Sequence, residues 1–163
     1  MNLKNFSKYA ILSTFVFLSS QKVNAMTQQQ SQKLIEDFYA AFNAKQLDKL
    51  FALLSDDVKH EMNDSGVMKG KAAFKQLMQD SVKYYDEQVS NPIFMVSEDG
   101  KHVSTRFTFK GRYISTDESQ IPATGQPYQA TAINYFEIEN GKITTAICWY
   151  NNKDWMKQVS KVA

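Results

Sequence analysis

From Ser31 to Ala44 the apolar residues Leu34, Ile35, Phe38, Ala41 and Phe42 fall at the spacing of one helical face. Leu47, Leu50, Phe51 and Leu54 repeat that spacing in a short second helix, which Asp56 and Asp57 are expected to end. Val58 to Asn63 alternates like a strand and runs into an Asp64-Ser65-Gly66 turn. Ala72 to Val82 predicts a third helix, with Phe74, Leu77, Met78 and Val82 on one side. Beyond it the period changes from 3.6 to two. Ile93–Val96, Val103–Tyr113, Tyr128–Ile138 and Ile143–Tyr150 read as strands. Glu98-Asp99-Gly100 and Asn140-Gly141 sit between them as hairpin turns. Ser115 to Pro127 is a long loop, and Asp154 to Val159 a last helical turn that packs Trp155. Helices followed by an antiparallel meander is the α+β class. A strongly bent sheet wraps such helices and leaves a pocket in its mouth.

A chain of 163 residues has room for one domain of this kind, and no repeat or linker divides it. Its 43% hydrophobic and 22% charged residues suit a globular protein. The formal net charge is +2, but the excess lies at the N-terminus. Residues 1–25 hold Lys4, Lys8 and Lys22 and no acid; the remainder has 16 basic residues against 17 acidic. Nucleic acid is therefore not an expected partner. One cysteine, Cys148, excludes an internal disulfide. With His60 and His102 as the only histidines, neither a metal nor a cofactor is expected.

Lys4 and Lys8 precede a ten-residue apolar stretch, Tyr9 to Leu18, which is too short to span a bilayer. Val23-Asn24-Ala25 then offers small residues at the two positions a signal peptidase reads. Residues 1–25 read as a secretory signal and 26–163 as the mature domain, periplasmic or secreted and free of the membrane after cleavage. The alternative is an uncleaved anchor.

Two stretches carry a resemblance. Phe38-Tyr39-Ala40-Ala41-Phe42-Asn43-Ala44 with Leu53-Leu54-Ser55-Asp56-Asp57-Val58 resembles the opening of the NTF2-like superfamily. Ile121-Pro122-Ala123-Thr124-Gly125-Gln126 with Tyr135-Phe136-Glu137-Ile138-Glu139-Asn140-Gly141-Lys142-Ile143 is similar to its SnoaL-like and ketosteroid-isomerase-related branch. The resemblance implies a cystatin-like cone: N-terminal helices packed in a curved antiparallel sheet around an apolar pocket, often in a homodimer. Isomerases, cyclases, epoxide hydrolases, dehydratases and pure binding proteins share this fold, so it does not decide the chemistry.

Strand parity selects the pocket wall. Val58, His60 and Met62 share the less charged face of the first strand, and Val103, Thr105, Phe107 and Phe109 the apolar face of the third. The family register turns Asn134, Phe136 and Ile138 inward, and Ala146, Cys148 and Tyr150 on the last strand. The expected wall combines Phe38, Met62, Phe107, Phe109, Phe136, Cys148 and Tyr150 with the polar residues His60 and Asn134.

The catalytic groups of ketosteroid isomerases are a carboxylate base, with a Tyr and a protonated Asp as the oxyanion hole. Carried over by position, these fall on Met62, Phe38 and Asn134. Two of the three functions are absent, so efficient steroid isomerisation is not expected. The SnoaL-type acid on the last strand falls on Cys148. Tyr39 lies one helical step from the Tyr position, about 100° away. Asp64 is on the face of Met62 if the strand reaches it, and is otherwise a turn former. His60 is the remaining acid–base candidate, with Asn134 to polarise a carbonyl; the plainer alternative hydrogen-bonds His60 to Asn134 or Tyr150. Cys148 reads better as a small apolar residue than as a nucleophile. Tyr84-Tyr85 reads as helix-end packing, and Asp117-Glu118 as a solvated loop tip.

Three functions fit: a binder of a small apolar molecule, an isomerase or related lyase or hydrolase acting through His60, and a non-catalytic interaction module. Ile133, Tyr135, Ile147 and Trp149 point away from the pocket, so both faces of the last two strands are apolar. A one-sided antiparallel sheet alternates instead. This second apolar face predicts a homodimer.

Overall fold

A computed structural model of the chain describes residues 26–63 and 65–161. The expected signal segment and Asp64 lie outside the described residues. In chain order the elements are α1 (Gln28–Asn43), α2 (Leu47–Ala52), β1 (Leu54–Met62), β2 (Val67–Lys69), α3 (Lys71–Tyr84), β3 (Tyr85–Val96), β4 (His102–Tyr113), β5 (Gln126–Glu139), β6 (Lys142–Tyr150) and α4 (Asn152–Val159). The expected α+β class holds.

A capping box starts α1: the Thr27 hydroxyl accepts from the Gln30 amide at 3.2 Å, and the Gln30 side chain accepts from the Thr27 amide at 2.9 Å. Its inner face buries Ser31, Ile35, Phe38 and Tyr39. The Ser31 hydroxyl donates to the Gly100 carbonyl in the β3–β4 turn. A side chain at Gly100 would stand 2.3 Å from the Met26 carbonyl, at a backbone φ of +68°, so only glycine serves there.

The strands form one curved, unclosed sheet in the order β2-β1-β6-β5-β4-β3. It is mixed rather than wholly antiparallel. The β3-to-β6 meander is antiparallel, but β6 lands parallel to β1, with His60 opposite Ala146 and Met62 opposite Cys148. That pair is joined through β2, α3 and the meander, a connection long enough for parallel pairing. α1 packs on β3 and β4, and α3 on β1 and β3. The core between them includes Ile35, Leu50, Val58, Val103, Phe136 and Ile143, each at most 1% exposed.

Four local expectations are corrected. Leu54 opens β1 instead of closing the second helix, so Asp56 and Asp57 lie in a strand. The three-residue β2, paired to β1, has no clear sequence signal. β3 starts at Tyr85, eight residues before the apolar run that announced it. Its register slips between Ser90 and Ile93, where Asn91 takes a φ of 53°. Pro92 is tolerated there because β3 is an edge strand. The slip inverts the parity, so Tyr85, Glu87 and Val89 share the inner face with Phe94. Tyr84-Tyr85 is consequently a helix-to-strand junction with Tyr85 turned to the interior.

Candidate functional site

Between α1, α3 and the concave face of the sheet lies a cavity of about 440 Å³. Parity and packing bring all nine sequence-predicted wall residues to it. Phe38 comes from α1, His60 and Met62 from β1, Phe107 and Phe109 from β4, Asn134 and Phe136 from β5, and Cys148 and Tyr150 from β6. Phe38 packs edge-on against Phe136 at 5.5 Å, and Phe109 against Tyr150 at 5.2 Å.

Tyr39 lines the cavity as well, beside Phe38, despite the helical rotation between them. The curved sheet wraps more than one face of α1, so adjacent residues both meet β-structure. The Tyr39 ring lies 5.3 Å from Phe107. Its hydroxyl is bonded to the Thr105 hydroxyl and accepts a 3.1 Å hydrogen bond from the Asn134 side-chain amide. Burial raises the Tyr39 pKa, so it stays a neutral phenol. The Asn134 amide oxygen is buried with no partner among the described residues.

His60 is 7% exposed and stands edge-on to Phe74 at 4.9 Å. It is hydrogen-bonded to neither Asn134 nor Tyr150: Asn134 donates to Tyr39, and the Tyr150 hydroxyl points to the Met62 sulfur at 3.9 Å. Desolvation pulls the His60 pKa from 6.5 to about 4, so the imidazole is neutral at pH 7. Burial pushes the Cys148 thiol up to about 12, which removes the thiolate a nucleophile needs.

The opposite end of the cavity holds groups that the sequence concealed. Glu87 on β3 accepts a 2.7 Å hydrogen bond from the Tyr128 hydroxyl, and burial raises its carboxyl pKa. Asp117, expected at a solvated loop tip, instead lines the cavity and accepts hydrogen bonds from the Tyr85 and Tyr113 hydroxyls. Burial acts to raise its pKa, but the Ser119 and tyrosine hydrogen bonds outweigh it and hold Asp117 below the usual carboxylate range. Trp155 from α4 closes this end, with its ring 5.7 Å from Tyr85 and 6.4 Å from Tyr150. The Ser115–Pro127 loop is therefore a wall of the cavity. Glu87 escaped detection because the sequence pattern starts the strand only at Ile93, and the Ser90/Ile93 slip hides the phase of the residues before it.

Among the described residues, no group of three His, Cys, Asp or Glu side chains is placed to hold a metal ion. No helix among them is long and apolar enough to cross a membrane.

Residues 35–146 match the SnoaL-like domain family. No curated protein matches the chain. Among solved structures, a candidate polyketide cyclase from Pseudomonas putida KT2440 is 36% identical with a TM-score of 0.77, over 82% of this chain and 98% of its own. Another from Xanthomonas campestris pv. campestris is 32% identical with a TM-score of 0.80, over the same shares. An epoxide hydrolase-like protein of M. tuberculosis shares the fold at 18% identity and a TM-score of 0.65, over 80% of this chain and 90% of its own. The family match covers well over half of the chain, and the fold and the cavity agree with it: this protein belongs to the SnoaL-like family of the NTF2-like superfamily.

Proposed function

We propose that this is an exported protein that binds a small, largely apolar molecule in the cone cavity. The observation that carries the reading is the cavity itself, about 440 Å³ in a domain of this size. Its volume falls within the range of small-molecule sites, and its aromatic wall with a few placed polar groups has their usual make-up. A module filled by its own side chains would lack that space. Export rests on the N-terminal segment ending at Ala25. Native mass spectrometry of the protein taken from its own compartment tests both parts. The expected species starts at Met26 and carries a retained small molecule, which Ala146→Phe, filling the cavity from β6, abolishes. A full-length mass removes export. An empty protein that binds no apolar probe removes the binding reading.

The names of the solved relatives support an enzyme in the same cavity as the second reading. His60, Asn134 and the missed Tyr39 are then the polar groups at the deep end. A neutral imidazole that protonates only near pH 4 is a weak base at pH 7, so binding is the leading reading.

A further inference from the structure

The charges around the cavity are of one sign. Four carboxylates line it, those of Asp80, Glu87, Asp117 and Glu118, and no Lys or Arg does so among the described residues. His60 adds no compensating charge, since it is neutral. Lys45 is engaged outside the lining, with the Glu87 backbone carbonyl at 2.7 Å and the Asp86 carboxylate at 3.6 Å. A second observation is independent of these acids. Asn134, only 9% exposed and part of the cavity wall, has an amide oxygen with no donor. Its amide nitrogen is already committed to Tyr39. Apart from the N–H of the neutral His60 imidazole, the charged and unpartnered groups of the lining are acceptors, and positive charge is what it lacks.

The surroundings of Glu87 fit one kind of donor. Tyr85, Tyr150 and Trp155 line the same end of the cavity, and an organic cation is attracted to aromatic ring faces as well as to carboxylates. Anionic ligands would meet only repulsion there. Gly111 keeps the site open: a side chain there would come within 2.9 Å of the Glu87 side chain and 2.7 Å of the Tyr128 hydroxyl.

We propose that the cavity takes an apolar organic amine, its ammonium head between Glu87, Asp117 and the Tyr85–Trp155 aromatic wall and its apolar body toward Phe107 and Phe136. Glu87 shares a row with Gly111, and Asn134 with Thr105. Those rows lie six residues apart on β4, roughly 20 Å along the strand. The ammonium head and the deep polar pair Tyr39–Asn134 thus lie at opposite ends of the cavity.

This ligand class rests on the cavity being a small-molecule site, and the test separates the two ideas. Three probes that share one aromatic body are titrated into the mature protein at pH 7: 2-(1-naphthyl)ethylamine, 2-(1-naphthyl)ethanol and 1-naphthylacetate. The amine is expected to bind at least about tenfold tighter than the alcohol, with the carboxylate weakest. Equal affinity for amine and alcohol, or preference for the carboxylate, overturns the amine proposal and leaves the binding cavity standing. No binding by any of the three removes both. Glu87→Gln keeps an acceptor for Tyr128 and removes the charge; it should weaken the amine about tenfold and the alcohol by less. An unchanged amine affinity overturns the placement at Glu87. Asp117→Asn gives the same readout should the first variant not fold, and the probe series with the unmodified protein needs neither.

Discussion

Glu87 on β3 and Tyr128 on β5 are hydrogen-bonded at 2.7 Å across the whole width of β4, because the residue between them is Gly111. Any side chain at that position would sit 2.7 Å from the Tyr128 hydroxyl and from the Asp86 carbonyl. Glycine is disfavoured inside a strand unless a neighbour needs the space. Here the neighbour is a polar pair of which Glu87 lines the cavity.

Gly111→Ala should therefore destabilise the protein, by about 1–3 kcal/mol as an overpacked site does. Tyr128→Phe, which leaves the Glu87 carboxyl without its donor, should cost about 1–3 kcal/mol. The two act on one contact, so the double variant should lose less than the sum. Urea denaturation of the four proteins reads this. Strict additivity would mean that the alanine leaves the hydrogen bond intact.

His60 makes stability depend on pH. Its folded pKa of about 4 lies below its ordinary 6.5. Between those values the unfolded chain binds a proton at His60 that the folded chain does not, so stability rises with pH across this window. Its contribution is complete above pH 6.5 and is lost as pH falls toward 4, by about 3 kcal/mol in all. Glu87 acts in the opposite sense, since its folded pKa is raised. The difference between wild type and His60→Gln isolates the histidine. Denaturation at several pH values should show the steeper wild-type slope between pH 4 and 6.5, and parallel curves would refute a buried neutral imidazole.

The deep wall of the cavity was legible because it obeys a period of two. Val103, Thr105, Phe107 and Phe109 alternate with Ser104, Arg106, Thr108 and Lys110 in the sequence as they do in space. The mouth was not legible. Tyr85 and Glu87 reach it only because the Ser90/Ile93 slip shifts their phase, and one residue of slip exchanges the faces. Asp117 reaches it through two tyrosine hydroxyls, one on β3 and one on β4. The Tyr85 tether spans 32 residues and has no local pattern. Tyr39 was missed for a third reason: helical periodicity assumes one buried face, and α1 is wrapped by a curved sheet.

Tyr39→Phe removes one hydroxyl and strands two partners, the Thr105 hydroxyl and the Asn134 amide. Both residues are at least nine-tenths buried, so the variant should be destabilised by about 1–3 kcal/mol. Tyr84→Phe, at the exit of α3, is the control and should change little. In thermal melts a Tyr39→Phe protein as stable as wild type would show that Asn134 has another partner in solution.

The outer face of the sheet leads to the last prediction. Ile133 pairs with Trp149 across β5 and β6 on the outer side of the sheet, and Tyr135 with Ile147, which also borders the cavity. Ile133 is 50% exposed and Trp149 48%. On the edge strand β3, beyond β4, Ile93 and Met95 are exposed on the same face at 57% and 58%. Ile93, Arg106, Ile133 and Trp149 thus form one row across four strands, interrupted by a single charge. A surface with this many exposed large apolar residues is a poor solvent-facing surface and a good interface core. We propose that a second copy of the chain covers it, sheet face to sheet face. Such pairing is isologous, so every substitution acts twice in the dimer. Trp149→Glu would bury two carboxylates against two apolar faces, and should convert the dimer to monomer at micromolar concentration in sedimentation or light scattering. The cavity opens on the other face, so the monomeric variant should keep its probe affinity. A wild-type protein that is monomeric at those concentrations defeats the prediction, as does a dimer that Trp149→Glu leaves intact.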